Sequence, residues 1–277
     1  MKPMRHRLLR TMLTLGGFAL VLWIALVGLL LLSRHERIYP QSQSFDAAEV
    51  DGLPRGRLAR LTAADGTPIL AWVAPPVDGQ PVMLHFTGNA GHVPSMARHV
   101  TPLAIRGWGV AILVPRGAGG APGAPSEEAL IGDALTLYDA LPSLFPEAAS
   151  PPAVWGVSLG AALATAVAVE RPVSAAILEV PFAQLCSVAE HHYPWSLACF
   201  LLWDERWDSI DRIPRLEAPL LILAGERDRT VPVAEARRLF AAAPEPKELI
   251  VYPRGAHNDL MRYGAMDDVL EFLRVAR

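Results

Sequence analysis

Residues 11–32 run for 22 positions without a charge. As a helix rising ~1.5 Å per residue this stretch reaches ~33 Å, enough to cross a bilayer. A polar connector with Pro and Gly is expected over residues 33–56. Beyond it, Arg57–Thr62 and Pro68–Ala74 read as two strands of a hairpin turning at Ala64-Asp65-Gly66. From there, apolar runs alternate with helical stretches. Pro81–Phe86 precedes a helix over 93–106, Gly109–Val114 a helix over 126–141, and 153–155 a helix over Leu159–Glu170. Residues 175–179, 219–224 and 248–252 read as the next three strands. Strands alternating with helices predict a mostly parallel sheet covered on both faces.

Between the first two of those last strands lies an aromatic-rich stretch, 181–214, with His191-His192-Tyr193-Pro194-Trp195, Trp203 and Trp207. It is too long for a simple loop and predicts a small helical cap. Its aromatics fit either a cover over the site or the core of crossover helices.

Charge orients the first segment. Lys2, Arg5, Arg7 and Arg10 precede it, while Arg34 and Arg37 follow with Glu36 between them. That bias predicts residues 1–10 in the cytoplasm and an uncleaved single-pass anchor, with the domain of residues 57–277 outside, on the periplasmic side of a bacterial inner membrane. A signal peptide would need a shorter apolar run and a small-x-small cleavage site, and Leu32-Ser33-Arg34-His35 offers none. Only Lys2 and Lys247 are lysines, beside abundant Ala, Arg, Gly and Pro, a composition typical of GC-rich bacterial coding sequence. Without the four N-terminal cations, 21 basic side chains face 28 acidic ones, with no basic patch interleaved with aromatics, so nucleic acid is not an expected partner. Cys186 and Cys199 are the only cysteines; they fit a periplasmic disulfide or two buried thiols, and their spacing does not choose. His85 and His92 lack carboxylate or thiolate companions at ligand spacing, so they read as a strand and a loop residue and no metal is expected.

Candidate chemistry centres on Gly156-Val157-Ser158-Leu159-Gly160, placed where a buried strand turns sharply into a helix. A serine there adopts a strained backbone conformation that projects its hydroxyl from the sheet, and flanking glycines avoid collision with neighbouring elements. A serine hydroxyl needs a base to take its proton, and the base needs a third group to orient it. Asp228 lies immediately beyond the 219–224 strand and His257 beyond the last one, both on the sheet edge that displays Ser158. Glu226 and Asp259 are alternative acids, and Arg227 or Arg229 could instead pair with Asp228. Oxyanion donors are expected from the N–H of Leu159 and from the Thr87-Gly88-Asn89-Ala90-Gly91 loop, through Asn89 or Gly88. Arg116 fits either an anionic substrate group or a tie between loops.

Together these segments resemble the α/β-hydrolase superfamily, and within it the membrane-anchored group related to the α/β-hydrolase-domain 13 and Bem46 proteins, with kinship to serine aminopeptidases. The similarity covers nearly everything after the anchor. Thr87 to Gly91 resembles the group's oxyanion segment, Pro115-Arg116-Gly117-Ala118-Gly119-Gly120 its Arg-Gly segment, and Gly156 to Gly160 its nucleophile elbow. Thr87 replaces the usual His and Pro115 the usual Tyr. The resemblance implies the α/β-hydrolase fold, Ser158, Asp228 and His257 as a triad, no cofactor, and as substrate a small acyl ester or thioester, which a lipid could supply. A serine peptidase is the alternative, for which Glu179, Asp204 or Glu205 would have to receive a substrate amine. A non-catalytic binding module is the other.

Overall fold

The computed structural model describes residues 2–40, 45–77 and 79–276, and residues 41–44 of the expected connector lie outside the described residues. Helix α1 (Lys2–Leu32) continues into α2 (Arg34–Ile38). The rest of the chain forms strands β1 (Arg57–Thr62), β2 (Pro68–Ala74), β3 (Pro81–Phe86), β4 (Gly109–Val114), β5 (Ala149–Val157), β6 (Ala176–Glu179), β7 (Leu220–Gly225) and β8 (Lys247–Tyr252). Its helices are α3 (Val93–Ile105), α4 (Glu127–Leu144), α5 (Leu159–Glu170), α6 (Leu185–His192), α7 (Ala198–Leu201), α8 (Ser209–Arg212), α9 (Val233–Ala242) and α10 (Ala265–Val275).

The strands make one sheet in the order β1-β2-β4-β3-β5-β6-β7-β8. β2 is antiparallel to both β1 and β4, and every later pair is parallel. Period-two alternation sends side chains to two cores. From β2, Ile69, Ala71 and Val73 join the core shared with α4, α5 and α9, while Leu70, Trp72 and Ala74 join the one shared with α3 and α10. Both sheet faces are therefore dry, which is why the central strands read as unbroken apolar runs.

Three local expectations need correction. β5 starts at Ala149, not Ala153, and takes in Pro151 and Pro152. Proline cannot donate to a ladder, and the β3–β5 register shifts between Pro81 and Met83 to accommodate this segment. The helix expected from Ser126 begins at Glu127, because Ser126 is its N-cap and accepts from the Ala129 N–H at 3.2 Å. The connector is not a free polar linker: Tyr39, Ala47 and Leu53 are buried, and Trp72 Nε1 donates to the Ala47 carbonyl at 2.8 Å.

Leu9–Leu32 of α1 is 24 residues, long and apolar enough to cross a membrane, and almost none of it is buried against the rest of the chain. The 181–214 stretch folds as α6, α7, α8 and a 3-10 turn, with Cys186 and Cys199 joined in a disulfide between α6 and α7. Its aromatics divide: Trp207 is core, whereas Trp195 and Trp203 are exposed.

Candidate active site

At the end of β5 the chain reverses into α5 within one residue. Ser158 sits at φ +55°, ψ −115°, a conformation costing of order 1–3 kcal/mol for a residue with a Cβ. Its N–H bonds the Glu179 carbonyl of β6 at 2.9 Å. The flanking glycines are obligatory on distance alone. A Cβ on Gly156 would lie 2.0 Å from the Gly160 carbonyl oxygen, and one on Gly160 would lie 2.3 Å from that of Phe86.

The loops after β7 and β8 meet backbone to backbone through a second glycine contact: a Cβ on Gly225 would fall 2.5 Å from the Gly255 oxygen. Arg227 N–H donates to that same oxygen at 2.9 Å. This clamp brings Asp228 to His257. Asp228 Oδ2 lies 2.7 Å from His257 Nδ1, and His257 Nε2 lies 3.1 Å from Ser158 Oγ. The other Asp228 oxygen accepts from the N–H groups of Thr230 at 2.7 Å and Val231 at 2.8 Å. With both oxygens engaged, the carboxylate presents one lone pair to Nδ1, which leaves Nε2 unprotonated toward the serine in neutral histidine. The rival acids are occupied elsewhere: Glu226 pairs with Arg237 at 2.8 Å, and Asp259 Oδ1 accepts from Ala256 N–H at 2.7 Å.

The loop after β3 passes beside the serine. A Cβ on Gly88 would stand 3.8 Å from Ser158 Cβ, and Asn89 shares the serine's pocket. Leu159 N–H lies in the first turn of α5, where no intrahelical acceptor exists and the helix dipole favours negative charge. Thr87 is buried, and its hydroxyl finds no partner among the described residues. His92 caps α3, accepting from Ser95 N–H at 3.3 Å.

Above Ser158 opens a cavity of about 230 Å³. The cap supplies Leu185, Val188, Tyr193 and Leu201, and the end of the apolar helix supplies Leu30 and Leu31, with Arg34, Arg37 and Ile38 following. Sequence reading treats that helix as a tether and misses it as a wall. The signal lies only in tertiary contacts: Arg34 pairs with Asp204 at 2.5 Å, and Trp23 Nε1 donates to the Trp195 carbonyl at 2.8 Å.

A buried polar cluster fixes the junction where the chain leaves α2. Tyr39 donates to Glu205, and Trp207 Nε1 donates to the Tyr39 oxygen at 3.1 Å. Glu205 also accepts from Glu127 N–H at 3.0 Å, and Glu127 accepts from Trp207 N–H at 2.8 Å and Arg212 at 2.6 Å. Burial and Glu205 push the Tyr39 hydroxyl far above its usual range, so it acts as a donor at any working pH. Arg116 is likewise structural. It forks onto both oxygens of buried Asp133 at 2.7 Å and reaches Asp65 at 2.6 Å, holding the Asp65 carboxyl well below the usual range.

The acids considered for a substrate amine do not face the cavity. Glu179 is buried with His99 at 2.9 Å and Trp155 Nε1 at 3.2 Å, while Asp204 is paired with Arg34 and Glu205 with Tyr39. Among the described residues, no Asp or Glu lines the space above Ser158.

No model of a protein family matches the chain. It is 39% identical over 211 residues to the uncharacterized protein Rv2307c of Mycobacterium tuberculosis, covering 75% of this chain and 74% of that one. It is 30% identical over 200 residues to the lysophosphatidylserine lipase ABHD12 of Danio rerio, covering 61% of this chain but only 49% of the lipase. Among solved structures, the Pyrococcus furiosus esterase Pf2001 superposes with a TM-score of 0.66 over 79% of this chain and 91% of its own, at 18% identity. The sheet order, the glycine-flanked turn at Ser158 and these likenesses agree: the chain is a member of the α/β-hydrolase superfamily.

Proposed function

We propose that this hydrolase is a membrane-anchored serine hydrolase that cleaves an acyl ester or thioester through an acyl-enzyme on Ser158. His257 Nε2 takes the hydroxyl proton as Oγ bonds the acyl carbon, and Asp228 holds the imidazole by Nδ1 and stabilises its charge. Leu159 N–H, with that of Asn89 or Gly88, receives the oxyanion. Collapse breaks the ester bond, and His257 returns the proton to the departing alcohol or thiol. Water then repeats the sequence on the acyl-enzyme, with its proton passing through His257 to Ser158 Oγ.

The observation that carries this reading is the unbroken run from Ser158 Oγ to His257 to Asp228, at 3.1 and 2.7 Å, with Ser158 itself lining an apolar cavity. Cavity walls of Leu, Val, Phe and Ile favour an acyl chain, and the lipase relative points the same way. The basic residues ahead of the uncharged run 11–32 favour a cytoplasmic N-terminus and an extracytoplasmic domain. The disulfide suits that oxidising side.

Fluorophosphonate labelling of the full chain in detergent, read by peptide mapping, tests the proposal. A single adduct on Ser158 that is lost in Ser158→Ala is expected. A folded wild-type chain that takes no label would sink it.

A further inference from the structure

Exposed hydrophobic side chains outside α1 are concentrated in one place. Among the described residues the large ones are Val77, Ile105, Trp195, Leu197, Phe200, Trp203 and Val275. Four of these seven fall within residues 194–203 of the cap, a stretch of ten residues without a single charge. Every residue it exposes is apolar or a disulfide cysteine: Pro194, Trp195, Leu197, Cys199, Phe200 and Trp203. A surface of that kind marks contact with something apolar.

The height of this stretch against α1 is fixed. The bond from Trp23 Nε1 to the Trp195 carbonyl holds one end, and Arg34, reaching the Leu201 carbonyl at 3.4 Å and Asp204 at 2.5 Å, holds the other. Trp23 lies nine residues before Leu32, the last residue of the apolar span. At ~1.5 Å per residue, Trp195 therefore sits ~13 Å inward from the end of that span. Charge resumes at Asp204, Glu205 and Arg206, level with Arg34.

The same stretch borders a way in. A second, open cavity of about 620 Å³ is walled by Leu31, Leu32, Arg34, Phe200, Leu201 and Trp203. Leu31, Arg34 and Leu201 also line the cavity above Ser158, so the two spaces meet at the seam between α1 and α7.

We propose that residues 194–203 are immersed in the leaflet that surrounds the C-terminal half of α1, and that acyl chains pass laterally from that leaflet through the α1–α7 seam to Ser158. Immersion stands on geometry and exposure alone; the passage rests on the hydrolase reading. α1 cannot occupy a bilayer without carrying Trp195 and its neighbours to the same depth, where their apolar surface is favoured.

The test uses the full chain in phosphatidylcholine nanodiscs, with and without acyl-brominated lipid. The emission lost in Trp203→Phe, and that lost in Trp195→Phe, should each be a component that brominated lipid quenches. Components blind to bromine overturn immersion, and a dimeric protein mass in those discs would assign the surface to a second copy instead. Passage is read with Leu197→Asn combined with Trp195→Gln. These positions line neither cavity, and Asn tolerates the left-handed backbone of Leu197 at φ +54°. Turnover of a long-chain ester dissolved in the bilayer should fall about tenfold, with a soluble short-chain ester within about twofold. Equal change on both esters overturns lateral passage. A wild-type chain inactive on both sinks the hydrolase reading and the passage with it, while the quenching result still decides immersion.

Discussion

On the sheet side of the pocket, Ser158 and His257 are set by backbone contacts with no slack, glycine against carbonyl at Gly160–Phe86 and Gly225–Gly255. On the cap side, Leu31, Arg37 and Tyr193 are held by a few polar bonds between segments more than 150 residues apart, such as Arg37 to the Tyr193 hydroxyl at 3.3 Å. The first wall is built by the core and is insensitive to its surroundings. The second exists only while α1, the cap and α4 stay assembled, so chemistry and substrate choice are separable by mutation.

The largest effect should come from the rigid wall. Ser158→Ala or His257→Ala should lower turnover by roughly 10³- to 10⁶-fold with no change in thermal unfolding; kinetics on a soluble ester, beside a melting curve, checks both halves. Gly160→Ala should act oppositely, on folding more than on chemistry, because its Cβ would meet the Phe86 carbonyl oxygen at 2.3 Å. A loss of about 3 kcal/mol or more is expected, read as a lowered unfolding midpoint in detergent; an unchanged midpoint would mean that the elbow has slack after all.

Glu127→Ala probes the other wall. It strips an acceptor from Trp207 N–H and the partner from Arg212, for about 1–3 kcal/mol. Limited proteolysis should then cut within residues 185–212 while labelling at Ser158 persists.

The smallest effect is a pH slope. His85, fully buried in β3, finds no well-formed hydrogen bond among the described residues, and burial and His99 hold it well below its usual 6.5. Below pH 6.5 the unfolded chain gains a proton there that the native state refuses. Stability from this residue is therefore greatest well above that value and is lost on acidification, by at most about 1.4 kcal/mol per pH unit. His85→Leu should flatten the slope on the acid side of pH 6.5, whatever its effect at neutral pH.

Much of the sheet side could be read from residues alone. Gly-x-Ser-x-Gly, the aspartate after β7 and the histidine after β8 depend on local chain geometry, and the apolar runs mark strands buried on both faces. The fold was legible for that reason, and the run of bonds among Ser158, His257 and Asp228 joins the residues that order and spacing picked out. The cap side was not. Nothing near Leu30 or Tyr39 in sequence announces Leu201 or Glu205, which adjoin them only in the folded chain. Glu179, one of three acids that a peptidase would need, has its side chain turned into the core toward His99, a contact that no local sequence feature announces. The strand read over 153–155 is the middle of a longer one, Ala149–Val157, whose two prolines are accommodated by a shift in the β3–β5 register.

The bond between Trp23 and Trp195, with the Arg34 and Arg37 ties to the cap, removes a degree of freedom. A domain on a slack stalk can swivel and meet substrate from any direction in solution. This one keeps one azimuth about the axis of α1, so its pocket always opens on the same side of that helix. On the lateral passage proposed above, encounter becomes a two-dimensional search, and the variable that governs saturation is lipid mole fraction at the surface rather than molarity in the bulk.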